Sequence, residues 1–203
     1  MPYSGTDKNA SASPQDWSRA GEKSFRKYDC GNGSPLVSNG AAQRYTKGGG
    51  SGVDISYTPS DFMTSGFADR SQKLLRAGDR RDEVLLHEIV HALHQMDGKL
   101  NCSVGPAGFD TKDECWAVLV TNIYSSGWNR PLRKNHHGSK TISLHEAQDY
   151  FSHYNTMIDW MCRDMPVVTR AIAQLSCIPF NPLRDSYERR SKLRVTSQQT
   201  VIR

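Results

Sequence analysis

The chain has 203 residues, a net charge of +5 and a hydrophobic fraction of 36%. This length favours a single domain, with a core large enough that folding needs neither disulfides nor a structural metal. No apolar run approaches the length needed to cross a bilayer, which excludes a transmembrane segment. The stretch MPYSGTDKNASASPQDW has no basic region followed by an apolar run, so we expect no conventional secretory signal peptide.

The N-terminal quarter is predicted to contain little regular structure. Residues 1–13 are small, polar and unpatterned, as is typical of a disordered segment. Ser13 and Pro14 are placed to begin a short helix over 13–28, as its cap and its first helical residue. A stretch rich in Gly, Ser and Asn follows, so 1–52 is expected to be a flexible region with one short helix.

The rest of the chain is predicted to be mainly helical. Val53, Ile55 and Tyr57 alternate with polar residues, which predicts one strand. Helices are expected from about Asp82 to Gly98, from about Thr111, over 143–165 with Ser143 and Glu146 as a capping box, and after Pro166. The predicted fold class is therefore mainly α (α+β), with a small β element before the helix that contains DEVLLHEIVHALHQMDG. We place the main domain at residues 53–184.

Basic residues crowd the C-terminal end, in RDSYERRSKLR. Such a cluster could bind nucleic acid, or it could be a solvated and frayed tail. Tyr187 is the one aromatic residue among these charges, which favours the tail. We therefore predict a basic C-terminal tail over 185–203 and no nucleic-acid partner.

The five cysteines are scattered, and none forms the Cys-x-x-Cys pair of a zinc knuckle. They are Cys30, Cys102, Cys115, Cys162 and Cys177. Their odd number leaves at least one thiol unpaired within a monomer, and the sequence leaves any disulfide pairing open.

The stretch HEIVH carries the clearest chemical signal. Residues four apart lie on one face of a helix with Cβ atoms roughly 6 Å apart, so His87 and His91 can direct their imidazoles at one ion. Glu88 lies about 100° around the helix, where it can act as a base rather than as a ligand. His94 either flanks this site or takes a hydrogen bond in the core. The neighbouring apolar residues predict that the helix runs through the core: Val84, Leu85, Ile89, Ala92 and Leu93. Because buried histidines need a polar partner, the pattern predicts a metal site.

Two carboxylates are candidates for the third ligand of a zinc site with one open position. Asp97 would need a sharp turn after His91, but ALHQM predicts a continuing helix, which puts Asp97 about 9 Å further along the axis. Glu114 lies on the next helix, and a helix packed about 8–10 Å away would bring it within reach. Thr111 and Glu114 also have the spacing of a capping box, so Glu114 could instead tie off a helix end. We predict Glu114 as the ligand.

LLHEIVHALHQMDG resembles the zincin metallopeptidases, and its pairing with a later helical glutamate looks like the gluzincin arrangement. It is similar to metallopeptidase domains of bacterial toxins, including those on type VI secretion spike proteins and the small zinc proteases injected by type III systems. DECWAVLVTNIYSS, RPLRKNHHG and PFNPLR look like further blocks of such domains. His94 stands where metzincins have a glycine, which argues against that branch.

The resemblance implies a zincin-like domain that holds Zn²⁺ with His87, His91 and Glu114. It implies hydrolysis of a protein or peptide substrate by a water on zinc, activated by Glu88. It also implies an effector delivered into the periplasm or cytoplasm of a target cell without a conventional signal peptide. A secretion-spike protein and a cognate immunity protein are the partners that it implies.

Peptide hydrolysis also needs a donor for the oxyanion. Tyr124, His136 and His137 are candidates, and we predict Tyr124 and His136 as catalytic residues. Asn122 or Asp113 could orient a ligand histidine. The alternative function is a non-catalytic binding module stabilised by metal, which would use the same histidines but need no open coordination position.

Overall fold

The computed structural model describes residues 10–16, 49–57, 77–101, 103–136 and 141–200, with the side chains of the last helix described as far as residue 193. Six helices and four short strands within these ranges give a mainly helical fold with a small sheet before the helices, as predicted. None of the helices found there combines the length and apolar character of a membrane span. The chain divides into two compact units, Met1–Asn122 with Arg133–Thr141, and Ile123–Leu132 with Ile142–Arg203.

A two-stranded antiparallel sheet opens the first unit. Strand β1 (Ser11–Pro14) pairs with β2 (Val53–Ser56), and Ala12 lies opposite Ile55. The strand at β2 was predicted, but β1 corrects the prediction that a helix begins at Ser13. Gln15 N donates to Gly52 O at 2.8 Å, so Gln15 and Gly52 form a hydrogen-bonded pair. Because such pairs alternate along an antiparallel ladder, Ala12 and Pro14 belong to the pairs without hydrogen bonds. The missing N–H of Pro14 therefore costs no ladder bond, which is where a strand tolerates proline. The predicted helical residues from 17 to 28 lie outside the described residues.

Helix α1 (Arg81–Met96) carries the HEIVH stretch, close to the predicted bounds. Glu83 is buried near its start and accepts hydrogen bonds from the backbone N–H groups of Gly78 at 3.1 Å and Arg80 at 3.4 Å. Gly98 has a φ of +67° just beyond the helix, which suits a glycine at a helix end. The prediction that Ile89 lies in the core is wrong, because this residue is 44% exposed.

Helix α2 (Lys112–Gly127) follows the predicted start at Thr111, whose hydroxyl accepts a hydrogen bond from Glu114 N at 3.1 Å. It carries a run of buried apolar residues, Cys115 to Val120. Asn122 exchanges two 2.8 Å hydrogen bonds with the backbone of Arg133, which fixes the start of the return segment. Leu132–Arg133 (β3) and Thr141–Ile142 (β4) form a second two-stranded sheet.

The second unit is built mainly from four helices: α3 (Leu144–Ser152), α4 (Asn155–Asp164), α5 (Pro166–Ala173) and α6 (Pro182–Thr200). The Ser143–Glu146 capping box and the helix start at Pro166 are as predicted. The prediction of a single long helix over 143–165 is wrong, because the helix is interrupted between α3 and α4. Ser152 Oγ donates to Asp149 O at 2.6 Å and His153 Nδ1 lies 2.9 Å from the same oxygen, so side chains take a carbonyl that a helix would use.

Helix α6 also differs from the prediction of a solvated tail. Leu183 and Ser186 are fully buried, three residues apart on one helix face. Asp159 accepts hydrogen bonds from Ser186 Oγ at 2.5 Å and from Arg189 Nη2 at 2.9 Å. The first turns of this basic segment are thus packed into the second unit.

Candidate metal centre

Three side chains of the ligand type converge from α1 and the start of α2. His87 Nε2 lies 3.1 Å from His91 Nε2 and 3.1 Å from Glu114 Oε2, and His91 Nε2 lies 3.4 Å from the same oxygen. The two histidines are 7% and 9% exposed. The three residues predicted as ligands are therefore brought together, in an arrangement that could hold a metal ion.

The spacing of these three atoms fits a tetrahedral ion. Ligands about 2.0–2.1 Å from zinc lie about 3.3–3.4 Å apart at the tetrahedral angle. The observed separations of 3.1 to 3.4 Å are close to that value. Hydrogen bonding alone explains the contacts to Glu114, but it accounts less well for two imidazole nitrogens that face each other and share one carboxylate oxygen. Such nitrogens can bond to each other only if one is a bare acceptor. Two imidazoles and a carboxylate are, by contrast, an ordinary zinc donor set.

A buried aspartate, Asp113, contacts the ring nitrogen of His91 that is not directed at this group. One carboxylate oxygen of Asp113 binds His91 Nδ1, and the other binds His94 Nδ1. Asp113 and His94 are each 3% exposed, and the His94 ring packs edge-on against Trp116 with centroids 4.8 Å apart. With Nδ1 occupied by Asp113, His91 directs Nε2 at the site. Of the two residues left open as partners of a ligand histidine, Asp113 contacts His91, whereas Asn122 binds the Arg133 backbone.

Of the two carboxylate candidates, the structure places Glu114 beside the histidines. Helix α1 continues through His94 to Met96, and Asp97 forms an ion pair with Lys99 Nζ at 2.6 Å. Thr111 does cap α2, but it does so through the backbone N–H of Glu114. The carboxylate of Glu114 therefore faces the histidines while its backbone serves the cap.

Glu88 lies beside this group without belonging to it. It is 8% exposed, and burial is the main reason that its pKa is raised, although the charge of His91 and a hydrogen bond from the Ala12 backbone act against the shift. Gln95 Nε2 donates to Ala12 O at 3.0 Å. Glu88 and Gln95 of α1 therefore bind the backbone N–H and C=O groups of Ala12 in strand β1. No pattern in the sequence predicts this contact.

His136 reaches the group from the return segment. Its Nε2 lies 3.0 Å from Glu114 Oε2, and its Nδ1 lies 2.9 Å from Asp110 Oδ2. The rings of His87 and His136 are nearly parallel, at 4°, with centroids 5.8 Å apart. Sequence reasoning found His136 but missed Asp110, which stands in a loop without a periodic pattern.

The two histidines predicted as ligands differ in the direction of their pKa shifts. Burial lowers the pKa of His87 to about 4, so this ring is neutral at pH 7. Burial acts in the same direction on His91, but the carboxylates of Glu114 and Asp113 outweigh it and raise the pKa of His91 well above its ordinary value. Burial raises the pKa of Glu114, yet the histidine charges and hydrogen bonds outweigh it and hold that pKa well below the usual range. The Glu114 carboxylate is therefore ionised.

Two further residues, Tyr124 and His137, were candidates for the oxyanion donor. Tyr124 belongs to the second unit, where its ring packs against Trp128 and lies 5.5 Å from the guanidinium carbon of Arg130. Its catalytic role stays a prediction. His137 lies outside the described residues.

Comparison with known proteins gives the chain no relatives: no family model, curated protein or solved structure matches it.

Proposed function

We propose that this protein is a zinc-dependent metallopeptidase. The observation that carries the proposal is the set of three ligand atoms, two imidazole nitrogens and one carboxylate oxygen, that lie 3.1 to 3.4 Å from one another. Three protein ligands leave the fourth position of a tetrahedral zinc ion free, which is the pattern of catalytic rather than structural zinc sites.

His87, His91 and Glu114 would hold the zinc ion, and Asp113 would keep His91 in the tautomer that presents Nε2. When bound, zinc supplies Lewis acidity, which activates water and polarises a carbonyl. Glu88 accepts the proton of the attacking water and later passes it to the leaving amine. Its buried position and raised pKa suit this role, because a general base works best with a pKa near the working pH.

The likeness of LLHEIVHALHQMDG to bacterial toxin metallopeptidases extends the proposal to the setting of the reaction. On that basis the protein is an effector delivered into a target cell, where it cleaves a protein or peptide. A secretion-spike protein and a cognate immunity protein are its proposed partners.

The test is hydrolysis of a fluorogenic peptide library by the zinc-loaded protein and by Glu88→Gln. We expect the parent to cleave members of the library, and chelation to abolish cleavage. Glu88→Gln should lose about 10²–10⁴-fold in rate, the usual contribution of a general base, while it keeps its zinc. The matched control is Glu188→Gln, because Glu188 is exposed on α6 in the other unit.

Two results would contradict the proposal. If the zinc-loaded parent cleaves nothing in the library, the site is that of a metal-stabilised binding module. If Glu88→Gln cleaves as fast as the parent, another group is the base.

A further inference from the structure

We propose that His136 is a positioning residue for the metal ligand Glu114, and that Asp110 fixes His136 for this task. The inference rests on the metal site of the proposed function and deepens it. It differs from the role expected from the sequence, in which His136 would donate to the oxyanion of the substrate.

The position of the His136 ring carries the inference. Its Nε2 lies 3.0 Å from Glu114 Oε2, the same oxygen that lies 3.1 Å from His87 Nε2 and 3.4 Å from His91 Nε2. No nitrogen of His136, however, belongs to the group whose ligand atoms all lie within 4.8 Å of one another. His136 therefore contacts a ligand rather than completing the ligand set.

The backbone and side chain of His136 are both held in place. Its N–H donates to Gly108 O at 3.0 Å, and its carbonyl accepts a 2.6 Å hydrogen bond from Arg133 Nη2. Its Nδ1 lies 2.9 Å from Asp110 Oδ2. Arg133 is fixed in turn by the two backbone hydrogen bonds to the buried Asn122. These contacts hold both the backbone and the ring of His136 next to Glu114.

Two of the three proposed ligands therefore contact a side chain that is itself held by a further residue. Asp113 backs His91 and is itself held by His94, while His136 backs Glu114 and is itself held by Asp110. A hydrogen bond to a ligating carboxylate fixes its rotamer and leaves its remaining lone pairs for the metal, and such outer partners commonly set metal affinity. His87 has no such support, since its Nδ1 is buried without a hydrogen-bond partner in the described part of the chain.

The experiment measures zinc affinity by competition with a chromophoric chelator, for the full chain and its variants. We expect His136→Ala to bind zinc about 10–100-fold more weakly than the parent, the usual cost of losing an outer partner. His136→Gln should recover part of that loss, because its amide N–H can donate to Glu114. Asp110→Asn keeps the His136 ring but weakens its hydrogen bond to residue 110, so this variant should lose less zinc affinity than His136→Ala. The control is His145→Ala, because His145 is exposed on α3 in the other unit.

Unchanged zinc affinity in both His136→Ala and Asp110→Asn overturns the inference. If His136→Ala keeps its affinity but loses hydrolysis, the inference is also wrong, and His136 acts on the substrate as the sequence led us to expect. His87→Asn separates this failure from that of the metal site, because it must lose zinc whatever His136 does. If the parent binds no zinc, both proposals fail. If the affinities change as expected but no peptide is cleaved, the inference stands and the peptidase proposal fails.

Discussion

Replacing Asp113 by asparagine tests the support behind His91. Asp113 is almost fully buried, and each of its carboxylate oxygens binds one histidine Nδ1. An asparagine keeps one of these acceptors but turns the other into an NH₂ donor, which faces an N–H group. We therefore expect zinc affinity to fall about 10–100-fold, or about 1.4–2.7 kcal/mol, as for other lost partners of a ligating histidine. The metal-free protein should also lose about 1.5–3 kcal/mol of folding stability, the usual worth of a charged hydrogen bond.

The assay combines chelator competition with denaturant unfolding of the metal-free protein. Asp159→Asn is the matched control, because Asp159 in the second unit also accepts hydrogen bonds with its carboxylate, from Ser186 and Arg189. It should lower stability and leave zinc affinity unchanged. If Asp113→Asn binds zinc as tightly as the parent, our account of His91 is refuted.

Further variants and reagents test other contacts. Thr111→Ala should cost about 1 kcal/mol of stability by removing a helix cap and should retain zinc, whereas Glu114→Ala should lose zinc. Equal zinc content in these two variants would contradict the assignment of Glu114. The exposed thiol of Cys177 should react with a thiol reagent in the native protein, while Cys115 and Cys162 are buried and should react only after unfolding. Burial raises the pKa of both buried thiols, so rapid native labelling of either would contradict the packing.

The sequence was informative where the signal is local. The HEIVH spacing predicts that His87 and His91 share a helix face, and ALHQM predicts that the helix continues past them, which removes Asp97 from reach. Glu114 could be proposed because α2 starts just before it. The Ser143 capping box is likewise written within four residues.

The parts that the sequence could not predict depend on contacts between distant residues. Ser13 and Pro14 have the local signature of a helix start, but pairing with β2 makes them strand residues. Asp113 and Asn122 were indistinguishable as supports, because the choice depends on which side of α2 faces α1. The contacts of His136 with Asp110 and Glu114 require the chain to return from the far end of α2.

The most direct test of the central claim is the zinc content of the purified parent and of His87→Asn, measured after chelation, reloading with zinc and desalting. We expect a single zinc ion per chain in the parent and its loss in the variant, while both proteins keep their helical circular dichroism. A folded parent that retains no zinc, or a variant that retains as much as the parent, would contradict it.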